Sequence, residues 1–346
     1  MSSVLSIEMG SSNFHIVEGT SEKGSVLVEK AMTFRIPDEC LSNERIRNQL
    51  LLDETLSEAI RLFNPKAKVA ILTFNGLTAI VRDVDLPNAK PKELEEMLKT
   101  EFVQVYHMLP TDVLQYKSID KYVDETGSQI SKYRTVAMDR EIIDEYHSLL
   151  TRAKIKPMAL DMNMNAIEKL LAGEPTINDR MPSENGTMLI DYGNKTTTVY
   201  IVAKGKPLFH RQINSGCGEI ERIICDETFT SITEIRKLKE QGYNFFGEDE
   251  AAKKYFTILR PLLYNLTDEI RKIIGFYSSR SSTGNGSIDH IYLYGGGSNL
   301  GGFAGYCESA LNISTEQIKN ISKVKYKDSE AQIASYLNSI GALIRN

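Results

Sequence analysis

One short plan occurs twice in this chain. Val4-Leu5-Ser6-Ile7-Glu8-Met9-Gly10-Ser11-Ser12-Asn13-Phe14-His15-Ile16-Val17 can be laid without a gap on Thr187-Met188-Leu189-Ile190-Asp191-Tyr192-Gly193-Asn194-Lys195-Thr196-Thr197-Thr198-Val199-Tyr200. Each copy runs apolar strand, acid, spacer, glycine, small polar residues, then a second strand of β-branched or apolar residues, which is the pattern of a hairpin. A hairpin used twice, about half a chain apart, restricts the fold to two lobes of similar plan. The 346 residues are enough for two domains of ordinary size, each with its own core. Between the copies, Ala172 to Gly186 collects Gly, Pro, Asn, Asp and Ser and reads as a connecting loop, so the boundary falls near residue 186.

Several function classes drop out. The net charge is −5 and the lysines are scattered, so no basic face exists to release counterions from a nucleic-acid backbone. Cys40, Cys217, Cys225 and Cys307 form no C-x-x-C pair, and the five histidines (15, 107, 147, 210, 290) have no metal-ligand spacing. A reducing cytoplasm fits that usage. The start, MSSVLSIEMG, has no basic stretch leading into an apolar one, and no run approaches the roughly 20 apolar residues of a spanning helix. The expectation is a protein neither secreted nor inserted in a membrane.

Within the first half the character changes at Leu86-Pro87. Lys92 to Lys99 reads as a charged amphipathic helix closed by His107-Met108-Leu109-Pro110. Period-two stretches follow at Val113 to Tyr122 and Tyr133 to Met138, then a helix from Asp139 to Leu150, so 86–155 reads as a small α/β insertion. In the second half, Leu259, Leu262, Leu263, Leu266, Ile270, Ile273, Ile274 and Tyr277 recur at helical spacing and predict a core-facing helix. A polar loop spans Ser278 to Gly286, a strand spans Ile288 to Tyr294, and an amphipathic helix from Glu330 to Ile344 ends the chain.

Four elements can carry chemistry. In the two hairpins, Gly10-Ser11-Ser12-Asn13 and Gly193-Asn194-Lys195-Thr196 can turn successive backbone N–H groups onto phosphates. The acids at their strand ends, Glu8 and Asp191, suit the water shell of Mg²⁺, which keeps much of its hydration. The third element, Gly295-Gly296-Gly297-Ser298-Asn299, follows a strand and lets a base or phosphate lie on bare backbone beside a helix start. The fourth, with Gly216 ahead of a helix and Glu234, Arg236, Lys237 and Lys239 beyond it, can reach a ribose or phosphate. Each alone has a plainer reading: a tight turn whose acid satisfies backbone donors, a helix N-cap at Ser298 or Asn299, a solvated helix face.

Taken together and in this order, the elements resemble an actin/Hsp70-type ATPase, and Ile190-Asp191-Tyr192-Gly193 through Phe209-His210-Arg211-Gln212-Ile213 resembles the PilM and FtsA family of that fold. Leu160-Asp161-Met162 and Ile340-Gly341-Ala342-Leu343-Ile344-Arg345 resemble the family's return to the first lobe and its closing helix. The resemblance implies an α/β, two-lobed ATPase fold with an FtsA-type subdomain 1C in place of 1B. Its parts would be first lobe 1–85, 1C 86–155, return and hinge 156–185, second lobe 186–329 and closing helix 330–346. It also implies ATP and Mg²⁺ as cofactors, with docking of the cytoplasmic tail of a PilN-like inner-membrane protein, contacts with other pilus assembly proteins and possible self-association. On the same grounds Glu8, Asp191 and Asn163 would be the catalytic positions. The sequence departs from the family at Glu8, where an Asp is usual, and at Cys217, where a second glycine is usual. Asn163 stands where a water-orienting Glu or Gln is common, and an amide is no general base. Binding of nucleotide is therefore expected ahead of turnover. The alternatives are a filament-forming ATPase of the FtsA or MreB type and a small-molecule kinase of the same superfamily, for which Asp161 is the nearest candidate base.

Overall fold

The computed structural model describes residues 2–203, 205–280, 286–327 and 332–345. The first sheet is built from β1 (Val4–Met9), β2 (Asn13–Glu22), β3 (Ser25–Arg35), β6 (Val69–Phe74), β10 (Lys156–Met162) and β16 (Val324–Tyr326), in the order β10-β6-β1-β2-β3-β16. A two-residue pair, β4 (Leu41–Ser42) and β5 (Arg45–Ile46), precedes α1 (Gln49–Phe63). The second sheet comprises β11 (Thr187–Tyr192), β12 (Thr197–Ala203), β13 (Lys206–Ile213), β14 (His290–Tyr294) and β15 (Thr315–Gln317), in the order β13-β12-β11-β14-β15. In each sheet the repeated hairpin is antiparallel and its first strand has a parallel neighbour on the other side. The sequence echo is thus a repeated sheet plan.

Apolar periodicity explains the layers. On α1, Leu52, Leu56, Ala59 and Phe63 fall at three- and four-residue spacing and are buried, while Asn48 caps the start by accepting from the N–H of Leu51. They share a core with Leu5, Ile7, Phe14 and Ile16 of the first hairpin. In the second lobe, Leu259, Leu263, Leu266 and Ile270 of α7 (Glu250–Arg280) pack with Ile190, Val199 and Ile291. That helix follows the expected stripe and runs further, and Pro261 lies on its exposed side. Also in this lobe are α5 (Gly218–Thr228), α6 (Ile232–Glu240) and α8 (Phe303–Leu311).

The insertion differs from expectation at both edges. Its sheet, β7-β9-β8, starts with β7 (Ile80–Pro87) and continues with β8 (Asp112–Val123) and β9 (Gln129–Asp139). It begins at Ile80 rather than at the Leu86-Pro87 break, because the alternation of β7 is hidden: Asp83 and Asp85 occupy one face, and the exposed Arg82 interrupts the face of Ile80, Val84 and Leu86. With α2 (Pro91–Gln104) it encloses its own core of Val84, Leu94, Leu98, Phe102, Met108, Tyr133 and Ala137. The following helix, α3 (Arg140–Arg152), belongs to the first lobe instead, since Ile142, Tyr146, Leu149 and Leu150 join the core of β1 and α1.

The C-terminal expectation also needs correction. Strand β16 pairs with β3, so the chain has rejoined the first sheet by Val324 rather than at 330. Glu330 lies outside the described residues. The chain then makes a 3-10 turn at Ile333–Ser335 and enters α9 (Leu337–Ala342), whose six residues are all buried, so the helix is not amphipathic. It is buried all round because it lies between the inner faces of both lobes, against α4 (Asn163–Leu171). The two helices approach closely: a Cβ at Gly341 would stand 2.2 Å from the Ala166 carbonyl oxygen.

Candidate functional site

Both hairpins close in the same way. Gly10 N–H donates to the Asn13 carbonyl and Gly193 N–H to the Thr196 carbonyl, each at 3.0 Å. The second hairpin is braced by the turn ahead of α5, where the N–H groups of Cys217 and Gly218 donate to the carbonyls of Gly193 and Asn194 at 2.9 Å. Gly216 is required there, since a Cβ would fall 2.4 Å from the Asn194 carbonyl oxygen. Thr196 accepts a 3.2 Å hydrogen bond from Asn75 of the first lobe, and Lys195 reaches the Leu41 carbonyl at 3.4 Å. These contacts cross the cleft and hold the lobes together at its mouth.

The acids at the strand ends converge. Asn338, in the first turn of α9, donates through Nδ2 to Glu8 Oε1 at 2.8 Å and to Asp191 Oδ2 at 3.0 Å. Asn163, opening α4, donates to the same Glu8 oxygen at 3.0 Å and accepts from the Thr73 hydroxyl at 3.0 Å. Glu8 and Asp191 are 8% and 9% exposed. Burial, reinforced by the nearby Asp191 carboxylate, pushes Glu8 well above the usual carboxylate range, and burial pushes Asp191 up as well; the amide hydrogen bonds pull both back only in part. Among the described residues the carbonyl oxygen of Asn338 is buried without a partner. Two under-neutralised carboxylates and an orphan acceptor fit a hydrated divalent cation. Direct caging does not fit: among the described residues no group of three or more His, Cys, Asp or Glu could hold a metal.

The glycine turn after β14 lies against this centre. Gly295 has φ 81° and ψ 168°, and a Cβ there would stand 2.2 Å from Asp191 Oδ1. Gly297 presses on the Tyr192 carbonyl, whereas a Cβ on Gly296 would meet nothing within 4 Å. The turn continues as one 3-10 turn, Gly296–Asn299, rather than directly opening a helix; α8 starts only after Gly302. Ser298 is not free for a phosphate, because it donates to the Gly295 carbonyl at 2.7 Å and accepts from Gln317 at 3.0 Å. Beside the turn lies a cavity of about 430 Å³ lined by Asn13, His15, Thr33, Gly296, Ser335 and Tyr336, among others.

The α6 group departs from its expected role. Glu234 forms a capping box with Ser231. Lys239 binds Glu221 at 2.7 Å beside Arg236 at 2.8 Å, and Arg236 reaches Asp38 of the first lobe at 3.6 Å. Lys237 is on the last turn of the helix. Asp161 is held by Lys169 at 2.7 Å and Asn165 at 2.6 Å, which leaves it no free role as a base. Reading the sequence missed Asn338, His15 and Tyr336. The signal available for Asn338 was an amide beside Ser339 in the short Leu337 to Ala342 stretch, where a buried polar side chain demands partners.

The family profile of type IV pilus assembly protein PilM matches residues 6–344. The chain belongs to the PilM family. Among solved structures, a PilM-PilN type IV pilus biogenesis complex matches with a TM-score of 0.80 at 20% identity, over 98% of this chain and 97% of that one. The ethanolamine utilization protein EutJ of Carboxydothermus hydrogenoformans matches at 0.57 and 12% identity, over 99% and 89%. MreB 5 of Spiroplasma citri bound to AMPPNP matches at 0.54 and 11%, over 98% and 94%. At these identities the likenesses show a shared fold, the actin-like one, so the PilM membership rests on the family profile. No curated protein matches the chain. Among the described residues no helix is long and apolar enough to cross a membrane.

Proposed function

We propose that the chain is an actin-like scaffold of type IV pilus assembly that holds ATP and Mg²⁺ between its lobes and docks the cytoplasmic tail of a PilN-like inner-membrane protein. The observation that supports the nucleotide half is the meeting of Glu8 and Asp191, one from each lobe, under the single amide of Asn338. The backbone N–H groups of Ser11, Ser12 and Asn13 and of Asn194, Lys195 and Thr196 are the phosphate donors, Glu8 and Asp191 hold the waters of Mg²⁺, and the cavity beside Gly296 takes the nucleoside. When bound, Mg²⁺ neutralises phosphate charge and polarises a phosphoryl oxygen. Asn163 positions Glu8 and has both ends of its amide engaged, so no free base faces a water molecule and turnover is slow or absent.

Family membership and the partner named with the similar solved complex support the docking half. The inserted unit, with its separate core, is the counterpart of 1C, and the tail lies between it and the first lobe. Such docking holds the protein at the inner face of the cytoplasmic membrane through its partner. The test is an equilibrium titration of the purified chain with ATP and Mg²⁺, beside Asp191→Ala, followed by phosphate release on the same samples. Saturable binding weakened about tenfold or more by the substitution, with little release, is expected. An intact chain that binds no ATP sinks the nucleotide half, and one that ignores a peptide of its own PilN homologue's tail sinks the docking half.

A further inference from the structure

We infer that Asn338 is a positioning residue that sets the spacing of the two acids across the cleft and offers its carbonyl oxygen to the water shell of the cation they hold. This rests on the nucleotide and cation reading above. An amide nitrogen has two hydrogens, and here one goes to the carboxylate of each lobe. The carbonyl oxygen of the same side chain is buried with no partner among the described residues. Both acids face the amide nitrogen of Asn338 as acceptors, and among the described residues no group donates to its carbonyl oxygen, so a guest bearing hydrogen-bond donors can satisfy it. Water molecules held by a hard cation are such donors, and they would accept nothing from the amide and donate to all three oxygens.

The side chain is also built into a place it cannot leave. It is 3% exposed. Its neighbour Ser339 donates to the His15 carbonyl at 2.8 Å, and Gly341 lies against the Ala166 carbonyl. Asn338 therefore cannot slide along the cleft to follow either acid.

The probe is Mn²⁺ alone, without nucleotide, measured by equilibrium binding and by melting in Mn²⁺ against EDTA. Asn338→Asp keeps the size of the side chain and replaces two donors by a third carboxylate. We expect a lower melting temperature in EDTA and Mn²⁺ binding tightened about tenfold. Asn338→Leu removes the acceptor and should weaken Mn²⁺ about tenfold. Mn²⁺ affinities within about twofold of the unaltered chain for both folded variants would overturn the assignment, as would no Mn²⁺ binding by the unaltered chain. If neither variant folds, hydrogen exchange of the unaltered chain decides: Mn²⁺ should slow peptides spanning 4–13, 187–196 and 336–342 together, and a response of the hairpins without 336–342 overturns it. ATP binding that fails while Mn²⁺ binding survives would sink the nucleotide reading and leave this one standing.

Discussion

Gly295 and Gly296 are chain neighbours with opposite demands, and alanine at each separates the architecture of the site from its occupancy. Gly295, at φ 81° and ψ 168°, occupies a region essentially reserved for glycine, and forcing another residue into it costs about 1–3 kcal/mol. A Cβ would in addition lie 2.2 Å from Asp191 Oδ1 and 3.1 Å from both the N and the O of Tyr192, two of these contacts being to backbone that cannot swing away. Overpacking of that kind adds about 1–3 kcal/mol. The sum, about 2–6 kcal/mol, is a large part of the roughly 5–15 kcal/mol of a folded domain and corresponds to a melting shift of roughly 5–15 °C. A Cβ at Gly296 would meet nothing within 4 Å, so a methyl group costs within about 0.5 kcal/mol and only narrows the cavity. Thermal melts without ligand and ATP titrations on both variants make the comparison. Gly295→Ala should melt early and bind ATP weakly, while Gly296→Ala should melt with the unaltered chain and bind ATP weakly. If Gly295→Ala melts normally, the backbone and contact argument is wrong. If Gly296→Ala binds ATP normally, the cavity does not take the nucleoside.

Two further outcomes are expected from other parts of the molecule. Burial holds the His15 imidazole neutral, lowering it to about 4, so the unfolded chain takes up this proton at a higher pH than the folded one; the stability it represents is complete above about pH 6.5 and is lost as pH falls toward 4. His15→Gln should therefore shrink the difference in urea stability between about pH 7.5 and pH 5 by about 1 kcal/mol, a figure discounted because the ring lines the cavity, and an unchanged difference would refute the cause. Leu98, fully buried in the insertion's own core, should cost about 2–5 kcal/mol on Leu98→Ala and loosen that unit alone. Tail-peptide binding should then fall while ATP affinity stays within about twofold; parallel losses would show that the two cores unfold as one.

The duplicated hairpins could be read from the chain because their constraints are local: strand alternation, an acid at the strand end, and a glycine whose Cβ would strike the carbonyl three residues on, at 3.0 Å in the first copy and 2.8 Å in the second. The long helix α7 could be read for the same reason, as its apolar stripe is a property of consecutive residues. Asn338 could not. Its role depends on Glu8 and Asp191, which are 330 and 147 residues away, and no periodicity marks a residue whose partners are set by the meeting of two lobes. The α6 charges misled for the converse reason. Glu234 and Lys239 have a chemistry suited to a ribose, but nearer partners, the Ser231 cap and the Glu221 carboxylate, claim them first.

The same non-local joins organise the molecule beyond the site. Asn163 and Asn338 stand in the first turns of α4 and α9, and both amides donate to one oxygen of Glu8. Gly341 leaves no room between these helices, and at their N-terminal ends Asn338 holds both acids while Asn163 holds Glu8. Farther along α4, Glu168 accepts from Arg134 of β9, which also pairs with Asp83 of β7. Arg134 is 17% exposed, so parting it from either carboxylate leaves charge half out of water, a cost well above that of a surface pair. The insertion is thus tied to α4 through a half-buried ion pair, and α4 is tied to Glu8 by its first residue. A change in the distance between Glu8 and Asp191 has to be taken up either by tilting the α4 and α9 pair, which moves Glu168 and the insertion with it, or by breaking the amide bridge at Asn338.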